Sequence, residues 1–319
     1  MPPMRENGIA QIIKILLSKY NSSKLSGNRK FEHKSRPRTD HMTRKAANAI
    51  NPLQTLLKGI SSTLSQFTTR TTKEDYSTVV KSFLPANAKL LTPKYPGDSR
   101  EIQFADLDGD SYKELIASYR LYDEIKTIIL KKQNEHWSKA AEISNLEYDT
   151  LSYRGTTDIT GVGRKQLLIG LSSGGKASTL FGYSLDNKKI NKMFDRCFSR
   201  FAVLEQSKDK DAAARAQLAI WNKKDSGAYS IEVLHWNGLQ LEPIKKVTPY
   251  YSRSVIPYFA QKVKDSPYTA SHWYNLADAL EKAGANRDAL MAVKVGISQD
   301  RNSSLTESFL ALKNRISEK

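Results

Sequence analysis

Cysteine is almost absent from this sequence, and so are long apolar runs. Cys197 is the single cysteine among 319 residues, which excludes an intramolecular disulfide, a four-cysteine zinc site and a CxxC redox pair. No apolar run approaches the roughly 18 residues that a membrane-spanning helix needs. Hydrophobic residues nevertheless make up 39% of the chain, close to the usual globular content. The composition therefore predicts a folded chain with a packed core.

Acidic residues are scarce in the first quarter of the chain. Residues 1–73 contain 14 lysines and arginines but 3 acidic residues, so they carry most of the formal net charge of +17. This asymmetry predicts a basic arm that contacts anionic lipid, a cell-wall polymer or nucleic acid. A solvated, poorly ordered leader is the alternative, and both readings stay open.

Residues 8–20 have the pattern of an amphipathic helix. Their apolar side chains recur at the spacing of one helical face: Ile9, Ile12, Ile13, Leu16, Leu17 and Tyr20. Such a helix lies on a membrane surface or docks on the rest of the protein. Lys14 interrupts the apolar run, and neither a clear cleavage site nor a lipobox cysteine follows, so the segment makes a poor export signal. Further helices are predicted over 46–67 and 74–84.

The strongest motif lies in the stretch IQFADLDGDSYKELIASYR at 102–120. Carboxylates occupy positions 1, 3, 5 and 9 of a loop, and position 7 offers a backbone carbonyl. Calcium takes six to eight hard oxygen ligands, and the glycine of DGD relieves the backbone where the loop must curl. A solvated acidic turn is the alternative, but repulsion among four close carboxylates opposes it. The predicted calcium ligands are Asp106, Asp108, Asp110, Tyr112 and Glu114.

Two weaker copies of this loop follow at a near-constant spacing. DITGVGRKQLLIG at 158–170 begins 52 residues after the first loop, and DKDAAARAQLAIW at 209–221 begins 51 residues later. The equivalent positions are Asp158, Thr160, Val162 and Gln166 in the second loop, and Asp209, Asp211, Ala213 and Gln217 in the third. The loss of charge predicts no metal in the second loop and at most a weak site in the third. On this basis Asp158→Ala is expected to do little.

These three units resemble the FG-GAP/VCBS repeat family, the calcium-loop blades of integrin-alpha-like propellers, over about residues 85–247. The resemblance implies propeller-like β blades, calcium in the intact loop, and faces or rims that bind partners, commonly in bacterial envelope or secreted proteins. A closed propeller has four to eight blades. Three units therefore leave open an incomplete ring, a ring closed by a partner or second copy, or no ring, with residues 85–104 supplying a strand to one blade.

The C-terminal part has a helical pattern. Trp273, Leu276, Ala277, Leu280 and Ala289 are spaced as in a tetratricopeptide repeat, and residues 284–286 form the expected turn. About residues 270–303 thus resemble one such repeat, which implies peptide or protein binding. An ordinary helical hairpin is the alternative. Since one repeat is too short to stand alone, we expect it to pack on the β region.

A hydrolase motif is also present but fits poorly. Gly170–Gly174 reads G-x-S-x-G around Ser172, after an apolar strand. A nucleophile elbow needs a helix after the serine, whereas the sequence that follows is typical of a strand. We therefore expect no enzymatic activity.

Composition and pattern divide the chain into four segments. They are a basic, partly disordered leader with amphipathic helices (1–73), a connecting helix and strand (74–98), three β repeats (99–247) and a helical region (248–319). The predicted function is a calcium-binding interaction or scaffold protein, with a protein or cell-surface polymer as partner. The alternative is an anionic-surface binder that acts through the leader, with nucleic acid disfavoured because no RNP-like motif is present. Repeat type favours the cell envelope, although no clear export signal supports it.

Overall fold

The computed structural model describes residues 6–21, 74–174, 178–186, 189–204, 215–225, 227–245 and 247–318. The described residues fall into two units, 6–21 with 83–318 in the first and 74–82 in the second. The first unit begins with helix α1 (Glu6–Asn21), and the described part of the second contains helix α2 (Tyr76–Ser82). The predicted helix over 46–67 lies outside the described residues.

Strands occupy most of the described chain between residues 89 and 243. They are β1 (Lys89–Leu91), β2 (Ile102–Ala105), β3 (Glu114–Leu121), β4 (Glu124–Gln133), β5 (His136–Asn145), β6 (Thr150–Thr157), β7 (Gln166–Ser172), β8 (Ser178–Asp186), β9 (Lys189–Phe198), β10 (Arg200–Leu204), β11 (Gln217–Lys223), β12 (Tyr229–Trp236) and β13 (Leu241–Pro243).

The strands form three antiparallel sheets of similar design. The second sheet has the order β6-β7-β8-β9 and the third β10-β11-β12-β13. In the first sheet, β3, β4 and β5 follow in order, and β1 and β2 share the free edge of β3, pairing with 118–120 and 114–117 respectively. Residues 85–104 thus supply this edge, as expected. The fold is mainly antiparallel β with C-terminal helices, and the described sheets do not close into a ring.

The sheets pack face to face. Successive buried side chains of one strand belong to apolar clusters on opposite sides of its sheet. In β7, Leu167 and Ile169 pack into an apolar cluster with the first sheet, whereas Leu168 packs into a cluster with the third. Successive side chains of a strand point to opposite faces, so a strand that is apolar at every position serves two neighbours. The second sheet is accordingly the central β layer.

Helices cover the outer face of the third sheet. A helical turn (Thr248–Tyr250) and a π-helical turn (Tyr251–Val255) lead into α3 (Ile256–Asp265), α4 (Ala270–Lys282), α5 (Asn286–Gln299) and α6 (Thr306–Ser317). Ala219 and Trp221 of β11 lie in the helical core, and Tyr251 Oη donates a hydrogen bond to the carbonyl of Ile231 (2.9 Å). The expected packing of this region on the β region is confirmed.

The α4–α5 hairpin buries its patterned face. Gly284, at φ +79°, forms the turn between the helices. The side chains that suggested a tetratricopeptide repeat are fully buried: Trp273, Leu276, Ala277, Leu280 and Ala289. This packing suits a repeat and an ordinary helical hairpin equally, so the resemblance stays a prediction.

Helix α1 docks on the C-terminal helices. Leu16 is 1% exposed and belongs to their core. Lys19 Nζ and Tyr20 Oη both donate hydrogen bonds to Asp288 Oδ2, at 2.5 and 2.8 Å. The docking reading of this helix therefore holds, while membrane contact stays a prediction. Among the described helices, none combines the length and apolar character needed to cross a bilayer.

Candidate metal centre

The first acidic loop joins β2 to β3 and is shaped by its own first residue. Asp106 Oδ1 accepts a hydrogen bond from Gly109 N (2.6 Å), and Oδ2 accepts one from Ser111 N (3.0 Å). Both donors have positive φ, +85° for Gly109 and +72° for Ser111. The backbone therefore curls around the Asp106 carboxylate. Glycine is suited to this conformation, because a side chain disfavours it.

Three of the predicted ligands converge. Carboxylate oxygens of Asp106, Asp108 and Glu114 lie within 4.8 Å of one another. Two ligands of one calcium ion, each 2.3–2.6 Å from it, lie at most about 5 Å apart, so this cluster has the right span. Asp110 accepts a hydrogen bond from Tyr112 N at 2.9 Å, and Tyr112 itself is 73% exposed. The structure thus gathers three of the four predicted carboxylates and leaves the Tyr112 side chain exposed.

Glu114 is the buried member of the cluster. It is 0% exposed, its Oε2 accepts a hydrogen bond from Leu107 N (2.7 Å), and its Oε1 accepts none from the described residues. Burial raises the pKa of Glu114 to about 7, and the charge of Asp108 adds to this effect, while the Leu107 hydrogen bond opposes it. A buried, half-satisfied carboxylate gains most from a cation.

A lysine that the sequence analysis missed also enters the cluster. Lys131 Nζ contacts Asp108 Oδ2, lies 2.6 Å from Asp110 Oδ2 and is 3.8 Å from Glu114 Oε1. Burial opposes its charge, yet hydrogen bonds to Asp108 and Asp110 raise the pKa of its ammonium group. One ammonium does not balance four carboxylates, so the ionised cluster keeps an excess of negative charge.

The position of Lys131 follows from the hairpin register. Leu130 of β4 pairs with Leu115 of β3, which brings the next residue of β4 beside Glu114. In the sequence, Lys131 is only a lysine at the end of an apolar run. Its place beside the acidic loop becomes predictable only when the pairing of β3 with β4 is known.

The second loop repeats the backbone of the first. Asp158 Oδ1 accepts a hydrogen bond from Gly161 N (2.6 Å), and Oδ2 accepts one from Gly163 N (2.7 Å). Gln166 Oε1 accepts one from Ile159 N (2.7 Å). Each donor lies at the same offset from its acceptor as in the first loop, and both glycines have positive φ, +77° and +90°. The two loops therefore share one architecture.

The chemistry of the second loop differs, because an amide replaces the buried carboxylate. Gln166 Nε2 donates to Thr160 Oγ1 (3.2 Å) and to the carbonyl of Arg164 (3.0 Å). Thr160 Oγ1 also donates to Asp158 Oδ1 (3.1 Å). This network satisfies the buried side chain with neutral partners, and the absence of a metal there stays a prediction.

Both loops also tie one sheet to the next. The carbonyl of Asp106 accepts a hydrogen bond from Lys165 N (3.1 Å), and the carbonyl of Asp158 accepts one from Ala216 N (2.7 Å). The same link thus recurs between the first and second sheets and between the second and third. Of the third loop, Asp209, Asp211 and Ala213 lie outside the described residues, while Gln217 begins β11 and pairs with Leu204.

The G-x-S-x-G motif ends a strand. Ser172 closes β7, its Oγ lies 3.0 Å from Ser152 Oγ, and the next described element is β8. A strand after the serine does not provide the strand-to-helix turn of a nucleophile elbow. This geometry gives no support to a hydrolase reading.

No protein-family model and no curated protein matches this chain. The FG-GAP/VCBS and tetratricopeptide resemblances therefore stay predictions. The functional argument below rests on the geometry of the two loops.

Proposed function

We propose that this protein is a non-enzymatic, calcium-binding interaction or scaffold protein. The observation that carries the proposal is the buried oxygen of Glu114 that accepts no hydrogen bond from the described residues and clusters with Asp106 and Asp108. The donor set is all oxygen, which suits calcium better than softer transition metals. Asp106, Asp108, Asp110 and Glu114 would hold the ion, and the carbonyl of Tyr112 is a further candidate ligand.

Calcium and Lys131 compete for the same oxygens in this proposal. The lysine ammonium contacts Asp108 and Asp110, so a bound ion must displace it or share these carboxylates. Lys131 then acts as an internal counter-ion that stabilises the calcium-free loop. Its release on binding lowers the calcium affinity relative to the same loop without the lysine.

The calcium would serve a stabilising role rather than a catalytic one. The first loop links the first sheet to the second through the Asp106 carbonyl, so an ion there fixes the joint between two layers. In the proposal, loops of such sheets and the C-terminal helices present surfaces to a protein or an envelope polymer. We also propose that the sheets are propeller-like blades and that a second copy of the chain covers an exposed sheet edge.

Thermal unfolding of the full chain with calcium, magnesium or chelator tests the metal site. Calcium at about one hundred times its dissociation constant should add about 2.7 kcal/mol of stability, a rise of several degrees for a protein of this size. Asp108→Asn should abolish the rise. Thr160→Val, at the equivalent position of the second loop, is the matched control and should keep it. No calcium-selective rise, or a full rise in Asp108→Asn, would contradict the proposal.

The second candidate function is binding to an anionic surface through the basic leader. Its support is the charge of residues 1–73, which hold 14 basic against 3 acidic residues. Flotation with vesicles of anionic and of neutral lipid tests it, with salt titration as a second measure. A variant with glutamine at every Lys and Arg of residues 24–45 should lose anionic-vesicle binding and keep its calcium response. Equal binding to neutral vesicles would count against this function.

A further inference from the structure

A cleft opens between the first and second sheets, beside the β1–β2 connection and strand β6. It has a volume of about 350 Å³ and is lined by the connection from β1 to β2, within residues 93–103, and by residues 153–156 of β6. Backbone hydrogen bonds hold the two walls together: Lys94 N donates to the carbonyl of Leu151 (3.2 Å) and Tyr95 N to that of Ser152 (3.0 Å). The cleft is therefore part of the folded scaffold.

One wall of this cleft contains a buried arginine. Arg154 is 3% exposed, and its Nη2 donates to the carbonyls of Arg100 (2.7 Å) and Glu101 (2.9 Å). Its Nε and Nη1 are buried without an acceptor. Burial lowers the pKa of Arg154 to about 10, and the nearby charge of Glu101 opposes this shift, so the side chain is charged at neutral pH. No carboxylate of the described residues forms an ion pair with it.

The surroundings of Arg154 favour an anion over a cation. Arg100 lines the same cleft and brings a second positive charge, whereas Asp98 is the one acidic residue of the lining. Ser99 and Gln103 add neutral hydrogen-bonding groups. Glu101 contributes a negative charge near Arg154 without forming an ion pair with it, and the two N–H donors that lack an acceptor remain unfavourable. A carboxylate or phosphate group in the cleft adds negative charge beside Arg154 and accepts hydrogen bonds from the exposed guanidinium of Arg100.

We propose that this cleft binds a small oxyanion, with Arg154 and Arg100 as its positive partners. Since a water molecule occupies about 30 Å³ of liquid, the cleft suits an ion or metabolite-sized acid. The charged group recognised is a carboxylate or a phosphate, and this site is separate from the acidic loop.

Calorimetric titration of the full chain with phosphate, citrate and acetate, at constant ionic strength, tests the proposal and distinguishes the two groups. We expect saturable binding of at least one of them. Arg154→Met should abolish it, and Arg100→Ala, which keeps the backbone carbonyl used by Arg154, should weaken it roughly tenfold. Asp98→Asn should strengthen it. Arg301→Ala, an exposed arginine of the C-terminal region, is the charge-matched control and should bind like the parent chain.

Three outcomes would overturn the proposal. They are no saturable binding of any of the three anions, equal weakening by Arg100→Ala and Arg301→Ala, and unchanged binding by folded Arg154→Met. If Arg154→Met does not fold, Arg100→Ala and Asp98→Asn decide the question, because they must shift the affinity in opposite directions. Asp108→Asn should leave anion binding unchanged, which separates this site from the metal centre.

Discussion

The first and second loops have the same hydrogen-bonded backbone and different side-chain chemistry. In each, an aspartate accepts two backbone hydrogen bonds at offsets of three and five residues, and a buried side chain accepts one from seven residues earlier. Of these two loops, only the first brings three carboxylates together, those of Asp106, Asp108 and Glu114. The comparison shows that the shared loop shape rests on backbone hydrogen bonds to the first aspartate, which both loops make.

The difference lies in how each loop satisfies its buried position. Gln166 uses both its oxygen and its nitrogen in hydrogen bonds, whereas one oxygen of Glu114 accepts none. In the second loop, both polar atoms of the buried side chain therefore have hydrogen-bond partners within the loop. The first keeps a buried charge that is costly without a cation, which is the pattern expected of a functional position rather than a purely structural one.

The largest expected effect is a pH dependence that belongs to Glu114. In chelated protein its pKa is about 7, against an ordinary value of 4.5, so the folded state binds the proton more tightly than the unfolded state. The free energy of unfolding should therefore fall as pH rises from 4.5 to 7, by up to about 3 kcal/mol. Urea unfolding across this range, compared with Glu114→Gln, measures it. An identical slope in the variant would show that other groups are responsible.

The next effect concerns the shape of the second loop. Asp158→Ala removes the acceptor for two backbone N–H groups and for Thr160 Oγ1, so it should destabilise the protein by about 2 kcal/mol. This revises the expectation from sequence that the change does little. Val162→Ala, an exposed change in the same loop, is the control in chemical denaturation. Equal unfolding midpoints for the two variants would refute the anchoring role of Asp158.

The smallest expected effect is on calcium affinity, and it distinguishes Lys131, a competitor of the ion, from the residues that bind the ion. Lys131→Met removes the ammonium that competes for Asp108 and Asp110, so calcium should bind about tenfold more tightly, a gain of about 1.4 kcal/mol. The calcium-free protein should lose stability at the same time, because the carboxylates then repel one another. Lys132→Met, the next residue, is a matched control for calorimetry. Weaker calcium binding in Lys131→Met would mean that the lysine supports the site.

Local patterns predicted the elements of this fold well. The acidic loop before β3, the shared spacing of the loops and the helical hairpin around Trp273 all follow from turn chemistry and from the periods of strands and helices. These signals are local, because each depends on residues within one loop, one strand or one helix pair. The same reasoning found the amphipathic face of α1, including Leu16, but left open what would cover it.

Contacts between distant segments were beyond these patterns. Lys131 reaches the loop through the register of β3 and β4. Arg154 is buried by the segment between β1 and β2, whose carbonyls accept its hydrogen bonds. Neither residue has a local signature, since lysine and arginine on strands are usually solvated. The anchoring role of Asp158 was hidden for a related reason: its partners are backbone N–H groups, which the sequence does not distinguish.

The sequence by itself determined the acidic loop, its weaker copy at 158–166, the sheet-forming strands and the helical end, because short-range spacing dictates turns, strand alternation and helical faces. Tertiary structure decided the electrostatics. Packing buried Glu114 and Arg154, placed Lys131 among the carboxylates and stacked three sheets behind the helices. Burial raises the free energy of a charged group far more than any local pattern reveals, so the part of Lys131 in the metal centre and the cleft around Arg154 appear only where distant segments meet.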